Sequence, residues 1–171
     1  NDQPVKIRGV CNHQDHAGVG SALPDALHDF RVKRLQEMGC NAIRTAHNPP
    51  TPELLDACDR LGMLIMDEHR MAGVSPEILG QLDRLVRRDR NHPSVILWSI
   101  LNEELIQWTE VGNRVAAPMK RLVARLDPTR PVTAAAWGGK GYFGVVDVLG
   151  VNYIHLGDMD QLDRKSTRLN S

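Results

Sequence analysis

The sequence lacks the excess positive charge and the long apolar runs that are typical of nucleic-acid-binding and membrane-spanning proteins. Its 171 residues carry 21 basic and 21 acidic side chains, so the formal net charge is zero, and only 4% of the residues are aromatic. A chain without excess positive charge does not attract nucleic acids or anionic membranes strongly. No run of residues approaches the ~20 consecutive apolar residues of a membrane-spanning helix. We therefore expect no nucleic acid and no membrane as partners.

Cysteine is scarce too, and its spacing excludes two further kinds of structure. Cys11, Cys40 and Cys58 are odd in number and match neither a disulfide framework nor a zinc-ligand spacing. We interpret them as free thiols that pack like small apolar side chains. No leader peptide is recognisable, and the sequence leaves the cellular location open.

What the sequence does contain is a regular alternation of short apolar runs with longer amphipathic segments. The alternation predicts a parallel sheet built from right-handed strand–helix–strand crossovers. The predicted strands are residues 5–10, 42–46, 63–68, 95–100, 131–136 and 145–153, and the predicted helices are residues 24–38, 51–62, 75–90 and 109–126.

Several residues at or within the helices carry specific predictions. Thr51 and Ser75 are hydroxyl residues directly before a proline, a pattern typical of a helix start, and Gly62 is a typical helix end. Pro118 lies inside the last predicted helix, and we expect it to interrupt that helix. The apolar residues of the first helix fall near one face, which we expect to be buried: Leu27, Phe30, Leu35 and Met38.

The number of repeats limits the fold to two candidates. Six strand–helix units suit either a doubly wound sheet or part of a (β/α)₈ TIM barrel, and a complete barrel needs about 250 residues. If the α/β fold is a barrel, the chain is too short to complete it and holds only its first six strands. The polar segment 164–171, RKSTRLNS, is interpreted as a non-native, adapter-derived tail.

Polar, titratable or aromatic side chains follow every predicted strand. In parallel α/β folds the active site lies at the carboxyl ends of the strands, so these side chains are expected to meet there. In strand order they are His13, His47, Asp67 with Glu68, Asn102 with Glu103, Trp137, and Asn152 with Tyr153.

Three chemistries compete for such a site. His13, His16, His47 and His69 could bind a metal for hydrolysis, although a His-x-x-His spacing is a weak signal. Cys11 could act as a nucleophile, but no residue is placed as its base. Two carboxyl groups surrounded by hydrogen-bonding and aromatic side chains suit the hydrolysis of a glycoside.

Three sequence blocks resemble glycoside hydrolase family 2, which contains β-galactosidases, β-glucuronidases and β-mannosidases on a TIM barrel. Residues 91–103, NHPSVILWSILNE, resemble its acid/base signature; residues 41–50, NAIRTAHNPP, resemble its strand-two signature; and residues 9–16, GVCNHQDH, resemble its strand-one block. The resemblance covers residues 5–155 and is greatest to bacterial β-galactosidases. It implies an α/β fold in which residues 1–163 form a partial TIM-barrel catalytic domain, with strands 7 and 8 missing. It also implies a retaining hydrolase of β-galactosides, or of β-glucuronides or β-mannosides.

The resemblance also implies roles for individual residues. Glu103 would be the acid/base catalyst. Substrate would be bound by His13, His47, Asn102, Tyr153 and Trp137, and Arg44, Asp67 and Glu68 would support them. Asp67 is interpreted as either a buried partner of Arg44 or a substrate ligand. We expect no cofactor, and we assign no metal ligand because the acid and histidine that bind magnesium in some members of the family have no clear match in this sequence.

The resemblance is incomplete in ways that matter for activity. Leu101 replaces the usual glycine before the Asn-Glu pair, and His69-Arg70 is an unusual continuation after strand three. The family's nucleophile, a glutamate at the end of strand seven, is expected beyond this sequence. The chain alone would then be inactive, or an incomplete sugar-binding remnant. The implied partners are an oligosaccharide or β-glycoside substrate and upstream β-sandwich domains of the parent chain.

Overall fold

A computed structural model of the chain describes residues 3–137, 142 and 144–153, and within them six strands alternate with four helices. The predicted domain boundary at residue 163 and the predicted tail at 164–171 lie outside the described residues. The strands are β1 (Gly9–Cys11), β2 (Ala42–Arg44), β3 (Leu64–Glu68), β4 (Val95–Asn102), β5 (Val132–Trp137) and β6 (Val148–Asn152). The helices are α1 (Asp25–Glu37), α2 (Pro52–Leu61), α3 (Pro76–Asp89) and α4 (Glu110–Leu126).

The order of the strands decides between the two predicted folds. All neighbouring strands are parallel, and they follow one another as β1-β2-β3-β4-β5-β6. A doubly wound sheet reverses its strand order at a switch point, and this sheet has none among the described strands. The strands instead form a curled part-barrel, so the prediction of a partial (β/α)₈ barrel is confirmed.

The helix boundaries follow the capping residues of the sequence. Thr51, Ser75 and Thr109 each accept a hydrogen bond through the side chain from a backbone N–H one turn ahead, which satisfies a donor that the helix start leaves free. At the end of α2, Gly62 has φ 74° and ψ 34°, a left-handed conformation that glycine adopts without a steric penalty. These predicted boundaries are confirmed.

The core lies between the sheet and the helices packed on its outer face. Leu55 and Cys58 of α2, Leu82 and Val86 of α3 and Met119 of α4 are each at most 1% exposed. Trp98 of β4 is 1% exposed, and its Nε1 donates to Asp127 Oδ2 at 2.9 Å, so it packs in the core. None of the helices in the described residues has both the length and the apolar character that a bilayer span requires.

The predicted interruption of α4 at Pro118 is wrong. The helix runs without a break from Glu110 to Leu126, although proline leaves the carbonyl of Arg114 without its usual donor. Ala116, Met119 and Val123 are fully buried on either side of the proline. Because tertiary packing supplies most of the stability of a protein helix, this buried face holds both halves of α4 in one helix.

Two predictions at the amino-terminal end need correction. The strand predicted at residues 5–10 is shorter, because the backbone of Lys6 and Arg8 bonds to the Asn41 side chain instead of continuing the ladder. The predicted buried face of α1 is displaced as well. Phe30 and Met38 are 47% and 73% exposed, whereas Val32 is fully buried.

The unbroken α4 leads to a prediction about stability. Replacing Pro118 with alanine restores a backbone donor and removes the clash with the preceding turn, so the free energy of unfolding should rise by roughly 1–3 kcal/mol. Urea unfolding followed by circular dichroism measures it. Pro52→Ala is the control, because proline suits the first turn of α2, and it should change stability by no more than about 0.5 kcal/mol. A destabilised P118A variant would contradict this account of α4.

Candidate active site

The side chains that follow the strands meet at the carboxyl edge of the sheet. Hydrogen bonds connect residues of β2, β3, β4 and β6 directly: Arg44 reaches Glu68 and Asn102, and Asn152 reaches Asn102 and Glu103. His47 joins them through Glu68. The edge therefore carries one continuous polar network, which we call the rim network and define by Arg44, His47, Glu68, Asn102, Glu103 and Asn152.

The carboxylate of Glu68 lies at the centre of the rim network. It is fully buried, and both of its oxygens are occupied. Oε2 accepts from Arg44 Nε at 2.6 Å and from Ser99 Oγ at 2.8 Å, and Oε1 lies 2.7 Å from His47 Nδ1. A buried carboxylate needs such partners to offset its lost hydration. Glu68 therefore orients Arg44 and His47.

Glu103 directly follows β4 and is held by the end of β6. Its backbone has φ 51°, a left-handed conformation that is rare for a residue with a side chain and that clusters at functional sites. The strand pairing shifts register between Ser99 and Asn102, which re-aims the residues at this end. Asn152 Nδ2 donates to Glu103 Oε1 at 2.5 Å, and no described residue bonds to the second oxygen of Glu103. That oxygen is available for proton transfer.

Asn102 is the other amide of the rim network. Its Oδ1 accepts from Arg44 Nη2 at 2.6 Å and from Asn152 Nδ2 at 3.3 Å. These two donors identify the oxygen side of the amide, so Nδ2 faces the other way. No described residue accepts a hydrogen bond from that Nδ2, which can therefore donate to a hydroxyl group of a ligand.

The loop after β1 brings His13 next to His47. The two rings meet edge to face, with centroids 5.3 Å apart. Arg31 of α1 fixes this loop, since its guanidinium donates to Asn12 Oδ1 at 2.6 Å and to the backbone carbonyl oxygen of His13. His13, His47 and Asn12 thus lie together at the β1–β2 side of the edge, as predicted.

Aromatic side chains flank the other side of the site. Trp137 ends β5, is 54% exposed, and lies 5.5 Å from the ring of Trp108 at an interplanar angle of 45°. The backbone N–H of Trp137 donates to Gln107 Oε1 at 3.0 Å. Tyr153 follows β6 with φ 54° and is 79% exposed. Exposed aromatic faces beside polar groups are suited to stacking on a sugar ring.

The prediction that Asp67 pairs with Arg44 is wrong. Alternate residues of a strand point to opposite faces, so Glu68 enters the rim network while Asp67 points outward to α3. There Asp67 lies beside Asp89, which Arg88 holds through two hydrogen bonds of 2.6 and 2.7 Å. Burial and the neighbouring Asp89 raise the pKa of Asp67 well above its usual range. Asp67 is thus a buried acid in the helix–sheet layer.

The geometry gives less support to the two alternatives, a metal-dependent hydrolase and a cysteine nucleophile. Within the described part of the chain, the only cluster of three metal-ligand side chains is Asp56, Asp59 and His92, and His92 precedes β4 at the opposite edge of the sheet. None of the four histidines considered for a metal site belongs to it. Cys11 is exposed, and the three cysteines are free thiols.

Some residues of the site were not singled out from the sequence. Ser99 binds Glu68, Thr45 Oγ1 accepts from the Glu68 backbone at 3.0 Å, and Trp108 packs on Trp137. Asn152 was noted only as a polar strand end. A signal for Ser99 did exist, because it is the one polar side chain within the apolar run of β4.

Known proteins share this fold and sequence. The family model described as "Glycosyl hydrolases family 2, TIM barrel domain" matches residues 1–77 and 73–170. The β-galactosidase BoGH2A of Bacteroides ovatus is 37% identical over 201 residues, covering 90% of this chain and 24% of the relative. The β-glucuronidase of Rattus norvegicus is 38% identical over 148 residues, covering 78% of this chain and 22% of the relative.

Solved structures agree. A family 2 glycosyl hydrolase from Bacteroides cellulosilyticus DSM 14838 matches with a TM-score of 0.85 and 35% identity, over 95% of this chain and 23% of that structure. A β-galacturonidase from Eisenbergiella tayi, bound to galacturonate, matches with a TM-score of 0.82 and 30% identity, over 92% of this chain and 32% of that structure. The chain spans about a quarter of the length of the two curated relatives. It belongs to glycosyl hydrolase family 2 and carries part of that family's TIM-barrel domain.

Proposed function

We propose that this chain is part of the catalytic barrel of a retaining glycoside hydrolase that acts on β-galactosides, with Glu103 as its acid/base catalyst. The main support for this proposal is the environment of Glu103. One of its oxygens is held by Asn152, the other has no partner among the described residues, and its backbone conformation is one that clusters at functional sites. The neighbouring network of Asn102, Arg44 and Glu68 supports it.

The reaction would proceed in two steps. Glu103 in its acid form protonates the glycosidic oxygen while a second carboxylate attacks the anomeric carbon and forms a glycosyl-enzyme. Glu103 then takes a proton from water, which hydrolyses that intermediate. Retention of configuration requires the two carboxyl groups to lie about 5–5.5 Å apart.

The described residues offer no convincing second carboxylate. Glu68 has both oxygens committed to Arg44, Ser99 and His47. Glu104 follows Glu103 but faces Arg70, with Arg70 Nη1 4.0 Å from its Oε1. We therefore propose that the nucleophile is the glutamate expected on a seventh strand, and that the chain alone does not catalyse hydrolysis.

The remaining residues of the edge would bind the sugar. The free Nδ2 of Asn102 would donate to the hydroxyl next to the anomeric carbon. His13 and His47 would line the pocket for the terminal sugar, Trp137 would stack on a ring, and Tyr153 would hydrogen-bond the nucleophile. Upstream β-sandwich domains of the parent protein would complete the surface around an oligosaccharide.

A second candidate substrate is a uronide. Relatives of comparable identity are named β-galactosidase and β-glucuronidase, and a β-galacturonidase shares the fold. The described rim network offers the same hydrogen bonds to either sugar. Chromogenic galactosides, glucuronides and mannosides assayed with the complete enzyme decide between them.

The role of Glu103 predicts a leaving-group dependence. In the complete enzyme, Glu103→Gln should lower the hydrolysis of glycosides with poor leaving groups by about 10²–10⁴-fold, because these need protonation. Activated phenolic glycosides should lose less in the first step, and added azide should partly restore the second. Steady-state kinetics on both substrate types measure this.

Glu104→Gln is the matched control, since Glu104 lies next in sequence but outside the rim network. It should change either rate by only a few fold. If Glu104→Gln is the crippling change, or if E103Q slows both substrate types equally, Glu103 is not the acid/base catalyst.

No second free carboxylate lies beside Glu103 among the residues that the structure describes, and we therefore predict that the 171-residue chain is inactive by itself. Incubation of the purified chain with the glycosides that the complete enzyme cleaves should release no more product than buffer alone. Circular dichroism should first establish that the chain is folded. Turnover by the folded 171-residue chain that E103Q abolishes would place the nucleophile within these residues.

Asn152 should act as a positioning residue for Glu103. Asn152→Ala removes the 2.5 Å hydrogen bond and lets the Glu103 carboxyl rotate. We expect kcat of the complete enzyme to fall by about 10–100-fold with KM little changed, because misplacing a reacting group by about 1 Å has that effect. Asn113→Ala, on α4, is the control and should leave kcat as it is. A rise in KM alone would mean that Asn152 binds substrate instead.

A further inference from the structure

A cleft of about 260 Å³ lies outside the rim network, between the loop after β3 and the outer face of α3. Its polar lining comes from His69 and Arg70 of the loop and from Gln81, Arg84 and Arg88 of α3. His69 is the next residue after Glu68, and the alternation of side chains places it on the side of α3. None of the described residues that line this cleft, which we call the β3–α3 cleft, is acidic.

His69 is an unusual lining residue. It is only 3% exposed, and neither ring nitrogen has a partner in good hydrogen-bond geometry among the described residues, since the nearby backbone of Met71 makes only a weak contact. Burial lowers its pKa, so the ring is neutral and offers one donor and one acceptor. Buried polar groups without a partner are rare because they cost free energy, and each one calls for an explanation such as a bound ligand.

The arginines around His69 are neutralised to different degrees. Arg88 is bound to Asp89 through two hydrogen bonds and donates to the Pro50 carbonyl oxygen at 2.7 Å. Arg70 lies 4.0 Å from Glu104, whose pKa is raised by burial. Arg84 is exposed and forms no ion pair with a described residue. The cleft therefore has an excess of positive charge that is carried mainly by Arg84, since Glu104 partly neutralises Arg70.

We propose that the β3–α3 cleft binds an oxyanion, with Arg84 and Arg70 supplying charge and His69 a hydrogen-bond donor. Planar guanidinium groups bind carboxylate and phosphate oxygens through paired hydrogen bonds, which suits this class of ligand. Two sources share the chemistry: the carboxylate of a uronic acid sugar and inorganic phosphate. The inference goes beyond the proposed reaction, because none of these residues belongs to the rim network.

Calorimetric titration of the 171-residue chain tests this site with three probes: inorganic phosphate, glucuronate and galactose. At least one of the two anions should bind in a way that depends on Arg84, whereas any binding of neutral galactose, which the rim network is proposed to hold, should not depend on Arg84. Binding of glucuronate alone assigns the site to a sugar carboxylate, and binding of phosphate alone assigns it to free phosphate. Binding should weaken as sodium chloride is added, because salt screens exposed charges.

Substitutions of single arginines test whether the anion binds in the β3–α3 cleft. Arg84→Gln and Arg70→Gln should each weaken anion binding by about tenfold or more, the effect of losing one hydrogen bond to a charged group. Arg87→Gln is the matched control, since Arg87 is also on α3 but bonds Asp83 Oδ2 at 2.7 Å and does not line the cleft. Both arginines are exposed, so these changes should leave the circular dichroism spectrum unaltered.

His69→Leu gives a second measure, because it removes the buried donor and keeps an apolar side chain of similar size. It should weaken anion binding while the chain stays folded. The proposal is overturned if neither anion binds, if R84Q weakens galactose binding as much as anion binding, or if R87Q weakens anion binding as much as R84Q does.

Discussion

The buried ion pair between Arg44 and Glu68 is the interaction on which the rest of the site depends. Arg44 is 12% exposed and Glu68 1%, and their 2.6 Å contact joins β2 to β3. Removing one partner of a buried pair leaves an uncompensated charge, which typically costs about 3–5 kcal/mol. The pair also orients Asn102 and His47 and, through Asn102, Asn152 and Glu103. The geometry of Glu103 is therefore set by contacts that begin two strands away.

Successive side chains at the end of β3 face two different environments, one on each side of the sheet. Glu68 faces the interior of the curled sheet, where it contacts Arg44, Ser99 and His47. Asp67 and His69 face α3, where burial raises the pKa of the acid and lowers that of the histidine, so both favour their neutral forms. Alternation along the strand thus separates the charged network of the active site from a layer of neutral, buried polar groups.

The similarity to known enzymes and the geometry of the site agree at the level of the family. The residue that we propose as the acid/base catalyst, Glu103, has supporting amides and flanking aromatic residues that suit the hydrolysis of glycosides. Among relatives of similar sequence identity, some are named for galactosides and others for uronides. Among the described residues, Arg84 at the β3–α3 cleft has no ion-pair partner, whereas Arg44 of the rim network is paired with Glu68. On our proposal, a preference for an anionic sugar would be expressed in that cleft.

The sequence by itself determined the order of the elements, most helix boundaries and the family. Local signals in the sequence predict these features: the apolar periodicity, the helix caps at Thr51 and Ser75, and the Asn102-Glu103 pair. The folded structure retains each of them. Only the tertiary structure decided that Arg44 pairs with Glu68 and not with Asp67, that Asn152 holds Glu103, and that α4 continues through Pro118. Each of these depends on which face of a strand or helix meets a distant partner. The residues next to each position in the sequence carry little information about such contacts. The free energy of burial and pairing depends on helices and strands that are distant in the sequence.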